Sequence, residues 1–250
     1  MRPSLFPVLF SGAWTPLSLG ASLIAWWDAE ATGTVTESGG AVSDWATVKG
    51  GSTVSQATAG FKPVYSATSF NSRPGITFDG IDDYLTVENI DSLPSGALGC
   101  EMWAACDQTV LAAVATQRGI AVYGGASTFL RRGIFRATDA VTNHFRTEGG
   151  DGAAATGASE EGTVDFSGRH VVRGTFTPTT VTAVIDGVSA TPAALVPGTG
   201  TTRTRIGSNT GNTPGGFFGG VINTVLVTGP LSDAQAIQMR KYLNARAGLA

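Results

Sequence analysis

The chain has 250 residues, of which 34 are glycine and 11 are proline, and its formal net charge is −3. Charged residues make up 14% of the sequence, against about 25% in an average domain, while apolar residues reach 42%. A disordered polyelectrolyte needs high net charge and few apolar groups, so that class is excluded. Nucleic-acid binding through broad phosphate neutralisation is not expected either, because 16 Lys and Arg face 19 Asp and Glu.

The N-terminal segment, residues 1–20, is predicted to be an extended apolar arm. Three prolines interrupt it, and it lacks an apolar run long enough for the core of a secretory signal peptide. No stretch of about 18 apolar residues occurs anywhere in the chain, so membrane insertion is not expected. Three aromatic residues of the arm are candidates for contact with another subunit or a virion protein: Phe6, Phe10 and Trp14.

Residues 21–250 are predicted to form one domain of short β-strands. Nine apolar segments alternate with turns rich in Gly, Pro, Asn and Asp, at 22–28, 75–79, 84–88, 119–123, 128–135, 170–176, 180–187, 203–207 and 220–227. Asp186 and Gly187 predict a hairpin turn, and the Gly- and Ala-rich stretch 148–158 is predicted to be a loop. This pattern indicates an all-β sandwich or barrel rather than βαβ units.

One helix is predicted, at the C-terminus. Ser232 is a favourable N-cap, and Gln235 completes a capping box three residues later. Gly248 stands where such a helix would stop. Four apolar residues recur on one helical face: Ala236, Met239, Leu243 and Ala247. The helix is therefore expected to pack across the sheet.

The two cysteines, Cys100 and Cys106, are six positions apart. In a strand this spacing puts them on one face but about 20 Å apart, whereas a disulfide needs Cα atoms within about 7 Å. Two buried thiols that pack as small apolar side chains are expected.

Residues from about 22 to 249 resemble the laminin-G-like, concanavalin-A-type domains common in virion proteins of tailed phages and prophages. The segment 73–85, RPGITFDGIDDYL, is similar to the family motif R-P-x-h-x-F-D-G-x-D-D-x-L, and 23–29, LIAWWDA, resembles its opening strand. The resemblance implies a two-sheet antiparallel jelly-roll sandwich with one C-terminal α-helix and an extended N-terminal arm.

Relatives of this kind occur as head spikes, head fibres, tail appendages and parts of gene transfer agents. The resemblance therefore implies a structural or adhesive protein of a phage or phage-like particle, assembled in the host cytoplasm. The arm would dock it to other virion proteins, and the domain would project and bind a host polysaccharide. A symmetric homo-oligomer is expected. The alternatives are a bacterial lectin-like module outside any virion and a polysaccharide-cleaving enzyme.

Asp79, Asp82 and Asp83 are a candidate Ca²⁺ site, because hard cations bind several carboxylate oxygens that converge on one loop. The competing interpretation is a turn, in which Asp79 and Gly80 bend the chain and carboxylates cap nearby amides. The turn is the default, and no other cofactor is expected.

Catalytic motifs are missing from the sequence. Glucanases that resemble this family carry Glu-x-Asp-x-x-Glu on one strand, and that spacing does not occur here. His144 and His170 have no metal-type spacing around them, and no Gly-x-Ser-x-Gly motif is found. The sequence therefore predicts a non-enzymatic protein, with both histidines in or beside strands.

Two sets of large side chains have competing roles. Trp26, Trp27 and Trp103 are expected in the core or on a sheet face, although a tryptophan can also stack against a sugar ring. Four arginines form a local basic cluster: Arg131, Arg132, Arg136 and Arg146. They are predicted to lie on a solvated strand face, with contact to acidic capsule or lipopolysaccharide as the alternative.

Overall fold

The computed structural model describes residues 14–50, 52–88, 99–108, 118–124, 131–138, 143–150, 155–161, 167–195, 203–209 and 216–250. These residues form nineteen strands: β1 Leu23–Asp28, β2 Val35–Ser38, β3 Ala41–Trp45, β4 Thr47–Gly50, β5 Val54–Ser55, β6 Val64–Phe70, β7 Arg73–Asp79, β8 Leu85–Glu88, β9 Cys100–Gln108, β10 Arg118–Gly124, β11 Arg131–Thr138, β12 Asn143–Gly150, β13 Ala155–Glu161, β14 Gly168–Phe176, β15 Thr180–Ile185, β16 Val188–Ser189, β17 Ala193–Ala194, β18 Arg203–Ile206 and β19 Gly219–Thr228. They also form 3-10 helices at Pro16–Ser22 and Ala59–Phe61, and the α-helix α1, Asp233–Ala247.

Antiparallel pairing connects the described strands into one large, open sheet. One run of strands is β15–β14–β9–β19, and the far edge of β19 is shared by β1 and β7. A second run is β2–β3–β5–β8–β18–β10–β11–β12–β13. Ala41 and Val64 link the two runs through β3 and β6. The all-β, antiparallel prediction is confirmed, whereas two separate jelly-roll sheets are not.

The main core lies between the two runs. Ala104, Cys106 and Val172 from the first run share one buried cluster with Ile134 and Phe145 from the second. Alternation along each strand places every second side chain in this cluster. Cys100 and Cys106 are both buried, free and in the same cluster, as the six-residue spacing predicts.

Helix α1 covers the outer face of the first run. Its N-cap is Ser232, the capping box with Gln235 is present, and Gly248 ends the helix in the left-handed conformation at φ 70°. All four apolar residues predicted for one face are buried: Ala236, Met239, Leu243 and Ala247. They pack against side chains that include Trp26, Trp103 and Leu226. The helix and its orientation are therefore confirmed.

The predicted loop at 148–158 is wrong at both ends, because β12 continues to Gly150 and β13 begins at Ala155; residues 151–154 lie outside the described part of the chain. The residue types carry little strand propensity, so pairing with β11 and burial decide the conformation. Gly149 lies against the side chain of Leu195, where a Cβ would be only 2.5 Å from Cδ1. The absence of a side chain there creates close packing rather than a loop.

The predicted hairpin after β15 is confirmed. Asp186 and Gly187 both have positive φ, at 51° and 93°, as a type I′ turn requires. Ile185 pairs with Val188 across the turn. Helices that are both long and apolar enough to cross a bilayer do not occur among the described residues.

Candidate functional site

The acidic cluster forms a self-capped turn at the end of β7. Oδ1 of Asp79 accepts hydrogen bonds from the amides of Ile81, Asp82 and Asp83, at 2.8, 3.2 and 3.3 Å. In return, Oδ2 of Asp83 accepts from the Asp79 amide at 3.0 Å. Gly80 has φ 77°. The predicted turn is confirmed.

The three carboxylates converge, with one oxygen from each lying within 4.8 Å of the others. Burial raises the pKa of Asp83 to about 7, the Asp79 amide lowers it in part, and the charges of Asp79 and Asp82 raise it again. A proton on Asp83 removes one of the three charges that would attract a cation. Calcium binding at this turn stays a prediction.

The predicted solvated face of arginines is wrong. Arg132 and Arg136 are buried, because they alternate with Gly133 and Phe135 and share the inward face of β11 with Ile134. Arg146, on β12, pairs with Phe135 on the opposite face and bonds Glu148 at 3.0 Å. Arg131 begins β11, and its side chain lies outside the described part of the chain. The four cations therefore do not form a single patch.

His170 lies in a strand as predicted, and His144, predicted in a loop or at a strand edge, lies near the start of β12; both are buried. Nδ1 of His170 lies 2.8 Å from Oδ2 of Asp186, and the other carboxylate oxygen accepts from the Val171 amide. The ring of His170 meets that of Phe145 edge-on, with centroids 5.0 Å apart. These contacts fix the hairpin turn against the sheet.

Trp26, Trp27 and Trp103 are buried, which confirms their prediction as core or sheet residues. Trp14 is only partly buried and meets Tyr242 of α1 edge-on, with ring centroids 5.9 Å apart. The described end of the predicted arm thus lies against its own domain. Phe6 and Phe10 lie outside the described residues, and contact of this segment with another subunit stays a prediction.

Trp14 and Tyr242 line an open groove of about 430 Å³ at one edge of the sheet, beside α1. This volume lies within the range of about 300–1,000 Å³ typical of ligand sites. We call it the edge groove, and its lining combines two aromatic rings with mostly polar side chains: Trp14, Thr15, Glu30, Arg73, Gln238, Lys241, Tyr242, Ala245 and Arg246.

One wall of the edge groove is held by an ion pair. Arg246 donates to both carboxylate oxygens of Asp28, at 2.6 and 2.9 Å, and to Oγ1 of Thr224 at 2.9 Å. Burial lowers the pKa of Arg246, but its hydrogen bond to Asp28 and the nearby negative charges outweigh burial and raise it overall. The guanidinium lies over the Tyr242 ring, 4.5 Å from the centroid, and also bonds the Tyr242 hydroxyl.

A second polar network adjoins this ion pair, with Nε of Arg246 3.9 Å from Oε1 of Glu30. Oε2 of Glu30 accepts from Arg73 at 3.1 Å, and its other oxygen accepts from the side chain of Asn223 at 3.2 Å. Asn223 is buried and also donates to the Pro74 carbonyl at 2.7 Å. Glu30 therefore has a fixed orientation before any ligand arrives.

The edge groove can form both kinds of contact that a sugar requires. Aromatic rings can pack against the C–H face of a pyranose or furanose. Glu30, Arg73, Gln238 and Lys241 supply acceptors and donors for hydroxyl groups. The contact of Glu30 with Arg73 and Asn223 holds the first two in place and lowers the entropic cost of binding.

Sequence reasoning found only Trp14 among these residues. One face of α1 carries four groove residues at helical spacing: Gln238, Lys241, Tyr242 and Ala245. The sequence pattern could therefore have identified the helical side of the edge groove. Glu30 and Arg73 come from different chain segments and reach the groove only through the pairing of β1 and β7 with β19.

No family model matches the chain, and no curated protein matches it either. Solved structures do share its fold. Domain 4 of AbnA, an extracellular GH43 arabinanase from Geobacillus stearothermophilus in complex with arabinotriose, has a TM-score of 0.56 at 13% identity. That match covers 89% of this chain and 98% of that domain.

Two longer enzymes are also similar. A Trypanosoma rangeli sialidase in complex with the inhibitor DANA has a TM-score of 0.58 at 12% identity, over 91% of this chain and 35% of the sialidase. An arabinofuranosidase complexed with arabinofuranosyl-α-1,2-xylobiose has a TM-score of 0.60 at 12% identity. That match covers 83% of this chain and 51% of the arabinofuranosidase. The chain thus spans about a third of the sialidase and half of the arabinofuranosidase.

These similarities contradict the prediction of a non-enzymatic protein, because the chain shares its fold with structures from glycosidases. That prediction came from one carboxylate spacing and one serine motif. Polar groups from distant segments can instead be brought together by the fold alone, as the contact of Glu30 with Arg73 shows here. A search for local motifs does not detect such sites.

Proposed function

We propose that this domain binds glycans, and that the edge groove holds the sugar. The observation that carries the proposal is the match over nearly the whole of AbnA domain 4, a structure determined in complex with arabinotriose. The match supports the fold of an oligosaccharide-binding domain, and the groove supplies chemistry suited to sugars.

In the proposed complex, a sugar ring packs against Trp14 and Tyr242. Its hydroxyls bond Glu30 and Arg73 on one side, and Gln238 and Lys241 on the other. Burial of a large side-chain surface contributes about 1.5–3 kcal/mol, which corresponds to roughly tenfold or more in affinity. The aromatic contact therefore supplies affinity, and the polar groups select hydroxyl positions.

Glycan arrays followed by calorimetry test the proposal, with arabinotriose as the first defined probe. Trp14→Ala and Glu30→Gln should each weaken binding of an array-positive glycan about tenfold or more. Phe61→Ala is the matched control, because this ring is 36% exposed and lies outside the edge groove. Equal affinity in all four proteins, or no glycan bound by the wild type, would overturn the proposal.

The same glycans should be assayed for new reducing ends, since the fold also occurs in glycosidases. Release that depends on Glu30 would make the edge groove an active site, in which a carboxylate acts on a bound sugar. Release that is unaffected by Glu30→Gln would place hydrolysis elsewhere in the chain.

We also propose that the domain is carried on a phage or phage-like particle. Support comes from the motif at residues 73–85 and its resemblance to virion proteins of tailed phages. Mass spectrometry and immunogold microscopy of density-purified particles test this proposal. Gold on the head would indicate a spike or decoration protein, and gold on the tail would indicate host attachment. Absence from particles would favour a glycan-binding module outside any virion.

A further inference from the structure

A second cavity, of about 310 Å³, lies on the other side of α1 from the edge groove, between the helix and the strands β14 and β15. We call it the helix cleft. Six of its lining residues carry the argument: Arg173, Val184, Gly187, Asp233, Ile237 and Arg240. The volume is near the lower end of the usual range for ligand sites, about 300 Å³, and suits a single ring rather than a chain.

One of the two arginines in the helix cleft is fully compensated. Arg173 donates to both carboxylate oxygens of the buried Glu101, at 2.6 and 3.1 Å, and lies over the Trp103 ring, 4.9 Å from its centroid. Glu101 also accepts from Nε1 of Trp103 at 3.0 Å. Arg173 is therefore a rigid, neutralised part of the floor.

The other arginine is uncompensated. Arg240 reaches from α1 to the hairpin turn, where its guanidinium lies so close to Gly187 that any side chain there would collide with it. Among the described residues, Arg240 has no hydrogen-bond or ion-pair partner. The neighbouring carboxylate of Asp186 is already used by His170 and the Val171 amide. Among the described residues, the cleft thus presents one cation that is not held in an ion pair, since the Asp233 carboxylate in the same lining does not pair with it.

The remaining lining residues orient a ligand. Val184 and Ile237 offer apolar surface for a ring, and Ile237 is exposed although it is large and apolar. Asp233 contributes a carboxylate to the lining. Like charges repel, so an anionic ligand turns its charged end from Asp233 and toward Arg240.

We infer that the helix cleft binds a carboxylate-bearing sugar residue, with the carboxylate on Arg240 and the ring against Val184 and Ile237. A guanidinium matches the planar carboxylate with paired hydrogen bonds, which distinguishes an acidic sugar from a neutral one. The choice of a sugar rests on the proposed glycan binding of this domain. The site is separate from the edge groove and adds selectivity for acidic glycans.

Calorimetry or saturation-transfer NMR with galacturonic acid tests the inference, with galactose and galacturonic acid methyl ester as neutral probes. Wild type should bind galacturonic acid at least tenfold more tightly than either neutral probe. Arg240→Gln should remove that preference, and Arg240→Lys should restore part of it. Lys62→Gln, which removes a cation far along the chain, is the matched control and should bind like wild type.

Two results would overturn the inference: equal binding of the acid and its ester by wild type, or an unchanged preference in Arg240→Gln. Trp14→Ala separates it from the proposed function. Loss of galacturonic acid binding in Arg240→Gln but not in Trp14→Ala supports the helix cleft, even if no glycan uses the edge groove. Binding in the edge groove without any effect of Arg240→Gln supports the proposed function alone.

Discussion

Arg246, in the last turn of α1, and Asp28, at the end of β1, form a bidentate ion pair across 218 positions of sequence, with distances of 2.6 and 2.9 Å. Their side chains are only 12% and 3% exposed. The same guanidinium supports the Tyr242 ring. One ion pair therefore anchors the helix to the sheet and fixes a wall of the edge groove.

Removing one partner of this pair should be costly. Arg246→Met leaves the Asp28 carboxylate buried without its partner, and we expect the free energy of unfolding to fall by about 3–5 kcal/mol. The double variant Asp28→Asn/Arg246→Met removes both charges and should recover part of that loss. Urea denaturation of wild type, Arg246→Met, Asp28→Asn and the double variant measures the effect, and simple addition of the two single losses would contradict the coupling.

The stability of the protein should depend on pH through Asp83. Its pKa in the folded state is raised from 3.8 to about 7, mainly by burial. The folded chain therefore holds this proton more tightly than the unfolded chain. The stabilising contribution is fully present below pH 3.8 and is lost as the pH rises through about 7. The loss is on the order of a few kcal/mol.

Asp83→Asn tests this dependence, because an amide oxygen can still accept from the Asp79 amide. Between pH 4 and pH 8, the variant should keep stability that wild type loses, and at pH 8 it should be the more stable protein. Asp82→Asn is the control: it keeps the Asp83 carboxyl, so its stability should still fall over this range, at a slightly lower pH because one charge that raises the Asp83 pKa is gone. Parallel denaturation curves for wild type and Asp83→Asn at both pH values would show that Asp83 is not responsible.

Arg118 should be a source of instability. It is 1% exposed, and its Nε and Nη1 atoms have no hydrogen-bond partner within the part of the chain that the structure describes. Burial lowers the pKa of Arg118, and Arg136 stands opposite it in the β10–β11 pairing. Arg118→Met should raise the free energy of unfolding by about 1–4 kcal/mol, since an uncompensated buried charge disappears.

A matched substitution distinguishes this effect from a general benefit of losing arginine. Arg173→Met leaves the buried Glu101 carboxylate without its charged partner. This variant should lower the free energy of unfolding by about 3 kcal/mol. Thermal and urea denaturation compare the two variants with wild type. A fall in stability for Arg118→Met would mean that its charge is needed in the folded chain.

The N-cap of α1 should contribute measurably to stability. Oγ of Ser232 accepts from the Gln235 amide, and Oε1 of Gln235 accepts from the Ser232 amide at 3.0 Å. Ser232→Ala removes the first bond and should cost about 1 kcal/mol in urea denaturation. Ser38→Ala changes an exposed serine at the end of β2 and should cost almost nothing. Equal effects would refute the capping role.

Local sequence patterns predicted the elements whose signals are local. The capping box at Ser232, the hairpin at Asp186 and the turn at Asp79 all satisfy their hydrogen bonds within a few residues. Each of these three features is present as predicted. Periodicity also identified the buried face of α1, because helix geometry repeats the same spacing.

Features that depend on distant partners were not predictable from the sequence. β12 and β13 contain few strand-forming residues and exist because β11 pairs with β12. Arg136 lies in the interior because of its register opposite Arg118, which the sequence does not reveal. Glu30 and Arg73 are 43 positions apart and meet only in the folded edge groove.

The rate at which the two buried cysteines of β9 are alkylated reports how often the folded molecule opens. Burial raises the pKa of both thiols, so the reactive thiolate is scarce while β9 stays in the sheet. β9 pairs with both β14 and β19 at the centre of the first run. Alkylation of Cys106 must therefore wait until this strand is released, and its rate records global opening rather than local fraying.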